Sequence, residues 1–452
     1  MIAASRNGDA MRARRWLGLT AVVCLALACG PEYSPDGLYA PPGFPYNGGT
    51  TVAIDILSES LRYEFDVTNQ RTTATADITF QMGSSGYPMF LMHPRALEVS
   101  LDQSPIALSA LSTATPEGSD ASLSVLSVPT APGSHTLHFG FELPPGTVSY
   151  TNGGASFSFL MNDLEGYFLD KYAPANFEFD QFSLHVELEV VGATHEEQLF
   201  TNGSLQQVDS SSWNVDFPSY FTSSSPFLEL TAENVKALDF SYQGKSSSFT
   251  CTIIMEAADM AGASRAQDAL TQALDAMESD FGPYGHDRFL LRVLRDPMGI
   301  LGGMEYCGAA WTSLRPSFIG HEVSHSWFGR GIMPANGNAG WIDEAIATWH
   351  DQSYPSTRVE CGSGPVNLAA HSPYSRTTPL QSYQDGAYLM AMLNSRLWGK
   401  GGLKPLLRKW YERDNHHVVN TEDFERFLED ETGIDLSALF GRFAFGRRTS
   451  CE

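Results

Sequence analysis

The sequence predicts two domains in succession, an all-β domain followed by an α+β domain. Its 452 residues exceed the usual size of one compact domain. Short alternating or β-branched runs, separated by turn residues, fill positions 51–240, whereas helical patterns dominate after residue 316. A hydrophobic content of 42% with 40 glycines and 25 prolines is typical of a globular protein rich in short strands and turns.

The first 28 residues are predicted to be a signal peptide. Arg12, Arg14 and Arg15 precede an uncharged run from Trp16 to Ala28. Thirteen residues suit the apolar core of an export signal and are too few for a membrane span. We therefore expect an exported protein.

The end of this run resembles a bacterial lipobox, whose Cys is acylated and becomes the mature N-terminus. The residues are Leu25-Ala26-Leu27-Ala28-Cys29. Lipoboxes usually have Leu where Ala26 stands, so ordinary cleavage with an unmodified Cys29 is the alternative. The Pro/Gly-rich residues 29–50 are interpreted as the anchor Cys and a tether. The expected location is the cell envelope, periplasm or outer membrane, with membrane contact through Cys29, or the extracellular space.

The N-terminal domain is predicted to span 51–240 as an all-β, sandwich-like domain. The following segments are predicted strands: 63–67, 76–80, 135–139 and 182–191. The net charge of −24 disfavours nucleic acid and anionic lipid headgroups as partners.

The second domain is predicted to span 241–452. Residues 248–256 and 289–295 read as strands, and an Ala-rich helix is predicted between them at 263–279. Further helices are expected up to the C-terminus.

Four cysteines remain once Cys24 and Cys29 are assigned to the signal and anchor. They are Cys251, Cys307, Cys361 and Cys451. In an oxidising compartment, four thiols suggest two disulfides, with three connectivities open. The spacings contain no CxxC pair, so a structural zinc ribbon is not expected.

The chemistry of the second domain begins with His321-Glu322-Val323-Ser324-His325. On a helix, the two imidazoles lie on one face one turn apart, as a tetrahedral metal requires. Glu322 then lies beside the open coordination position, where it can take a proton from metal-bound water. Two solvated histidines on a surface helix are the alternative.

A second helix offers the third metal ligand. Glu344 follows His325 after eighteen residues, within Trp341-Ile342-Asp343-Glu344-Ala345. Thr348, one turn further on, is either a hydrogen-bond partner of a ligand His or a packed helical threonine.

These motifs resemble the aminopeptidase N and leukotriene-hydrolase group of gluzincin zinc metallopeptidases. The resemblance is carried by HEVSHSWFG at 321–329, by WIDEAIA around Glu344 and by Gly302-Gly303-Met304-Glu305-Tyr306. A looser likeness extends over most of 51–452, including 201–203 and 421–440. It implies a thermolysin-like catalytic domain, one Zn²⁺ per chain and peptide or protein substrates.

The resemblance also implies roles for individual residues. Gly302, Gly303 and Met304 would pair with an extended substrate, and Glu305 would bind its free α-amino group. Tyr383, in a Tyr-x-x-Gly-Ala segment, would stabilise the oxyanion. Tyr374 and Tyr388 are alternatives, since Asp385 stands where the family usually has Lys.

Two departures bear on specificity. Arg330 replaces the Asn that usually follows WFG, placing a positive charge near the cleft. The large helical domain that commonly roofs the site is not found before Glu452, so a more open cleft is expected. The predicted function is a zinc aminopeptidase with Glu322 as general base; the alternatives are an open-cleft endopeptidase and an inactive binding lipoprotein.

Overall fold

A computed structural model describes residues 39–296, 302–358, 364–374 and 378–448, which belong to one compact unit. The predicted signal peptide, Cys29, Cys361 and Cys451 lie outside the described residues. Among the described helices, none has the length and hydropathy that crossing a bilayer requires.

The first part of the described chain is built of strands. Their bounds are β1 Pro45–Tyr46, β2 Gly49–Ala53, β3 Asp55–Asp66, β4 Arg71–Met82, β5 Tyr87–Phe90, β6 Arg95–Leu101, β7 Ser104–Pro105, β8 Leu111–Ala114, β9 Leu123–Leu126, β10 Gly133–Glu142, β11 Val148–Thr151, β12 Gly154–Ser158, β13 Ser183–Val191, β14 Gln198–Thr201, β15 Ser204–Gln207, β16 Ser212–Phe217 and β17 Leu228–Thr231.

These strands form an eight-stranded, a five-stranded and a four-stranded sheet. The eight-stranded sheet has the order β15-β16-β13-β3-β4-β10-β6-β7. Alternation along β3 sends Leu61, Tyr63 and Phe65 into the core, each with 0% exposure. The four predicted strands lie in β3, β4, β10 and β13, so the all-β prediction is confirmed.

The second part combines a sheet with helices. Its elements are β18 Val235–Gln243, β19 Ser248–Glu256, α1 Ala263–Phe281, β20 Arg288–Leu294, β21 Gly303–Tyr306, β22 Ala309–Ser313, α2 Pro316–Ser324, β23 Met333–Pro334, α3 Ile342–Asp351, α4 Ala387–Arg396, α5 Lys404–Asp414, β24 Val418–Val419, α6 Thr421–Thr432 and α7 Ser437–Phe443.

The five-stranded sheet of this part has the order β18-β19-β20-β22-β21, so β21 lies at an edge. β18 pairs with β19 along its whole length. β18 therefore belongs to the sheet of the second part, and the range predicted for the N-terminal domain, 51–240, includes its first residues.

The end of the predicted tether is held against the body. β1 and β2 form an antiparallel pair, and Phe44 N–H donates to Thr51 Oγ1 at 2.9 Å. The Tyr39 hydroxyl donates to Asp423 Oδ2 at 2.6 Å. Residues 39–50 are thus part of the folded body, because hydrogen bonds replace the solvent that a free tether would contact.

Large aromatic side chains fix the helices that carry the motifs. Trp327, Trp341 and Trp349 each have 0% exposure. Their indole N–H groups donate to Gly282 O, Thr421 Oγ1 and Pro355 O respectively. Each ring is therefore held by packing and by a directional bond, which orients the ends of α2 and α3.

Cys251 and Cys307 are buried free thiols. Cys251 lies within β19 and faces the core, and Cys307 follows β21, with its sulfur 3.3 Å from the carbonyl oxygen of Arg330. The expectation of two disulfides among the four cysteines is therefore wrong, because these two are enclosed in separate packed environments.

Asn202 joins the β part to the edge strand of the second part. Its Nδ2 donates to the carbonyls of Ser225 and Cys307, at 2.9 and 2.7 Å, and its Oδ1 accepts from Phe227 N–H at 2.7 Å. All three contacts are buried. One side chain thus satisfies backbone groups from both parts of the chain.

Replacing Asn202 with Ala should lower the free energy of unfolding by about 3 kcal/mol, since buried backbone groups would lose their partners. Asn234, which is exposed, offers the matched control, and its replacement with Ala should change stability by less than about 0.5 kcal/mol. Urea unfolding of both variants tests this. Equal stabilities would show that the Asn202 contacts contribute nothing to joining the two parts.

Candidate active site

Three potential metal ligands converge where α2 meets α3. His321 and His325 are one helical turn apart, His325 being the first residue after α2 and still helical in its backbone angles. Nε2 of His321 lies 3.1 Å from Glu344 Oε2, and Nε2 of His325 lies 3.7 Å from the same oxygen. One donor atom from each residue lies within 4.8 Å of the others.

The donor set suits a tetrahedral divalent metal. Nδ1 of His325 lies 3.3 Å from the Phe328 carbonyl, a contact that places its proton on Nδ1 and directs Nε2 to the site. Within the described chain, this buried Nε2 has no hydrogen-bond partner. Two imidazole nitrogens and one carboxylate oxygen, with a fourth position open, form the ligand set of catalytic zinc sites.

A second group of potential ligands shares His325 but is a weaker candidate. It consists of Glu305, His325 and Asp343. Glu305 Oε1 is paired with Arg330 Nη2 at 2.8 Å, and Asp343 Oδ1 accepts the backbone N–H of Glu344 at 2.8 Å. The contacts of Glu344 Oε2, by contrast, are with the two histidines of its own group, so His321, His325 and Glu344 form the stronger candidate.

Asp351 orients His321. Its Oδ2 lies 2.8 Å from His321 Nδ1, which leaves Nε2 pointing at Glu344. Burial lowers the pKa of His321, but the hydrogen bonds to Asp351 and Glu344 outweigh this and raise it well above its usual value. Burial raises the pKa of Glu344, yet the two histidines outweigh it and lower the pKa to about 2. The carboxylate is therefore in its ligating form.

Asp351 was not among the residues predicted to contact a ligand histidine, whereas Thr348 was one candidate. Thr348 Oγ1 is buried and has no hydrogen-bond partner among the described residues. Asp351 follows Glu344 by seven residues, two helical turns on, and so lies on the same face of α3. That spacing was the available signal, and the packed-threonine interpretation of Thr348 agrees with the geometry.

Glu322 lies between the two histidines and is buried, with 5% exposure. Burial raises the pKa of Glu322 well above its usual range; the charge of His321 opposes this, and the carboxylates of Glu305 and Glu344 add to it. A carboxylate with a raised pKa is a stronger proton acceptor, which general-base chemistry requires.

The edge strand passes very close to Glu322. A Cβ at Gly303 would lie 2.2 Å from Glu322 Oε1 and 2.6 Å from its Cγ, so a side chain at this position would displace the Glu322 carboxylate. Gly302, Gly303, Met304 and Glu305 all line the same cleft as Glu322. The predicted substrate-binding segment and the predicted base are therefore neighbours.

Tyr383 reaches the ligand group from the turn of π-helix that precedes α4. Its hydroxyl donates to Glu344 Oε1 at 2.7 Å. Burial raises the pKa of Tyr383, and the charge of Glu344 adds to the rise, so the hydroxyl stays protonated as a donor. Tyr388, one of the alternatives, packs against the hydrophobic core instead.

Arg330 lies near the cleft, as expected, because it contacts Glu305, but its own side chain is buried with 0% exposure. Besides Glu305 Oε1, its guanidinium donates to the Glu305 carbonyl at 3.2 Å and to Ser224 Oγ at 2.8 Å. Its Nη2 lies 3.6 Å from Asp163 Oδ1. The positive charge of Arg330 is therefore paired with buried groups of the protein.

The cleft around these residues has a volume of about 1060 Å³. Both parts of the chain line it: Leu160, Asp163 and Lys171 come from the β part, and the ligands, Glu322 and the edge strand come from the second. No sequence pattern predicted that the β part lines the cleft, because these residues lie in the segment between β12 and β13 and belong to no recognised motif.

No protein-family model matches the chain, and no curated protein matches it. Solved structures do. An M1 zinc metallopeptidase from Deinococcus radiodurans has a TM-score of 0.62 at 16% identity, over 88% of this chain and 95% of that one. The native leukotriene A4 hydrolase of Saccharomyces cerevisiae has a TM-score of 0.65 at 12% identity, over 94% and 72%.

Aminopeptidase A of Legionella pneumophila, in complex with aspartic acid, gives a TM-score of 0.64 at 13% identity, over 87% of this chain and 50% of that one. These likenesses show that the chain has the M1 metallopeptidase fold. The predicted combination of a β domain and a thermolysin-like α+β domain is confirmed.

Replacing Asp351 with Ala should weaken the binding of Zn²⁺ at the three-ligand site by about 10- to 100-fold, because His321 would lose the partner that orients it. Thr348→Val, a change on the same helix face at a hydroxyl without a partner, should leave the affinity unchanged. Competition with a chelator measures both. A loss confined to the Thr348 variant would reverse the two assignments.

Proposed function

We propose that this protein is a zinc aminopeptidase that removes residues from the free N-termini of peptides. The observation that carries the proposal is the meeting, in one cleft, of a group of three potential metal ligands, the buried carboxylate of Glu322 beside it and an edge strand that contains the carboxylate of Glu305. Each feature has a different role in peptide hydrolysis, and their proximity supports one reaction.

His321, His325 and Glu344 would hold one zinc ion. Two nitrogens and one oxygen are ligands that zinc accepts readily, and the buried Nε2 of His325 is oriented for such a bond. Bound there, zinc would supply Lewis acidity, polarising the scissile carbonyl and lowering the pKa of water. Asp351 would keep His321 in the ligating orientation.

Glu322 would act as the general base. It would take a proton from the attacking water and pass it to the leaving amine, so that water is divided between the two products. The hydroxyl of Tyr383 would turn from Glu344 to the oxyanion and donate a hydrogen bond there. Both groups border the ligand set, as these steps require.

Recognition of the N-terminus would fall to the edge strand. Among the described strands β21 has one neighbour, β22, and its other edge would pair with an extended peptide. Glu305 stands within this strand and would bind the α-ammonium as a charge-assisted hydrogen bond. An acetylated or internal peptide offers no such cation.

A structural neighbour supports peptides as the substrate class. The Deinococcus radiodurans M1 zinc metallopeptidase has been solved with a Tyr-Ser-Ala substrate bound, and that structure gives a TM-score of 0.63 with this chain at 15% identity. The fold therefore holds peptides in another protein. In this chain, the argument for peptides rests on the cleft residues themselves.

Glu322→Gln should leave one zinc per chain bound while lowering kcat by about 10²-fold or more, because the substitution removes the base and no ligand. Metal analysis and peptide hydrolysis, measured on one preparation, test both statements. Loss of zinc in this variant would indicate that Glu322 is a metal ligand. An unchanged kcat would show that Glu322 is not the general base.

Free peptides should exceed their acetylated forms by at least about tenfold in kcat/KM, since the contact with Glu305 is worth about 1.5–3 kcal/mol and 1.4 kcal/mol corresponds to a factor of ten. Glu305→Gln should remove most of this preference while zinc remains bound. A series of peptides of increasing length, each free and acetylated, measures it.

Two other results would replace the proposal. Rapid internal cleavage of acetylated peptides would indicate an endopeptidase with the same zinc site. Binding of zinc without hydrolysis of any peptide would indicate a binding protein that keeps the fold.

A further inference from the structure

We propose that Arg330 is a positioning residue for substrate recognition: it holds the carboxylate of Glu305 in place for the α-ammonium without contacting the substrate. The inference rests on the proposed aminopeptidase function and assigns the origin of its N-terminal selectivity. Arg330 has 0% exposure, whereas Glu305 lines the cleft.

The guanidinium of Arg330 donates two hydrogen bonds to Glu305. Nη2 donates to the side-chain Oε1 at 2.8 Å, and Nε donates to the main-chain carbonyl at 3.2 Å. A third contact, from Nη1 to Ser224 Oγ at 2.8 Å, fixes the guanidinium plane. A carboxylate held in this way has lost its rotational freedom before substrate arrives, so binding costs less entropy.

Arg330 is itself held by residues from both parts of the chain. Ser224 belongs to the β part, and its hydroxyl donates in turn to Glu178 Oε2 at 2.7 Å. On the other side, the backbone N–H of Arg330 donates to the carbonyl of the metal-ligand candidate His325 at 2.8 Å. Arg330 therefore links the position of Glu305 to that of the three-ligand group. This link would set the distance between the place where the substrate's N-terminus binds and the place where its peptide bond is cut.

Charge gives Arg330 a second effect on Glu305. Asp163, Glu305 and Glu322 are all at least nine-tenths buried. Arg330 Nη2 lies 2.8 Å from Glu305 Oε1 and 3.6 Å from Asp163 Oδ1. One guanidinium therefore faces two carboxylates, and the α-ammonium of a substrate would add a second cation to this group.

The test is a double-mutant cycle on the preference for free over acetylated peptides, using Arg330→Met, Glu305→Gln and the two together in zinc-loaded, full-length protein. Arg330→Met should raise KM for free peptides by at least tenfold, change kcat by less than threefold and reduce the preference nearly to that of Glu305→Gln. In the Glu305→Gln background, adding Arg330→Met should change the preference by less than twofold.

Two further variants separate positioning from folding. Arg330→Lys keeps the charge, should fold even if Arg330→Met does not, and should restore part of the preference. Arg292 is a second buried arginine, paired with Glu229 and Glu256 at 3.0 and 2.9 Å. Arg292→Met should lower the melting temperature without altering the preference.

The outcomes distinguish this inference from the proposed function. If wild type prefers free peptides and Glu305→Gln loses that preference while Arg330→Met and Arg330→Lys keep it, Arg330 has no role in recognition. Additive effects in the double-mutant cycle would show that Arg330 does not act through Glu305, which also overturns the inference. If wild type shows no preference for free peptides, the aminopeptidase function fails and this inference fails with it.

Discussion

The cleft depends on one electrostatic constraint: several carboxylates are buried around a single point and must be balanced by positive charge. Glu305, Glu322 and Glu344 each have 4 or 5% exposure. Isolated carboxylates at that depth would be strongly destabilising. His321 and His325 lie beside Glu344, Arg330 holds Glu305, and a divalent ion at the three-ligand group would add two positive charges. The packing of α2, α3 and the edge strand is possible because these groups lie among the carboxylates.

The same constraint explains how the two parts of the chain cooperate. Ser224 and Asp163, from the β part, contact the guanidinium of Arg330, which belongs to the second part. Asn202 hydrogen-bonds across the same boundary to the carbonyl of Cys307. The β part therefore supplies one wall of the charged cluster, so the site is complete only when both parts are assembled.

Sequence predicted the features that depend on short-range spacing. The one-turn separation of His321 and His325, the helix around Glu344 and the edge strand beside Glu322 follow local periodicity or short motifs, and the structure places them together. Contacts between distant residues were not predictable. Arg330 and Glu305 are 25 residues apart and on different elements. Asp351 belongs to none of the recognised motifs, and only the packing of α2 against α3 identifies His321 as its partner. The free state of Cys251 and Cys307 likewise follows from tertiary packing, which a cysteine count does not contain.

The attachment of Tyr39 to α6 has a mechanical consequence. A force applied through the N-terminus would reach the hydrogen bond between Tyr39 and Asp423 and the short β1–β2 pair before any other described element. Asp423 belongs to the first turn of α6, where it completes a capping box with Asn420. The load would thus pass into a helix end on the C-terminal side of the chain and, through the Asn336 side chain that donates to the Tyr39 carbonyl at 3.5 Å, into the segment between α2 and α3.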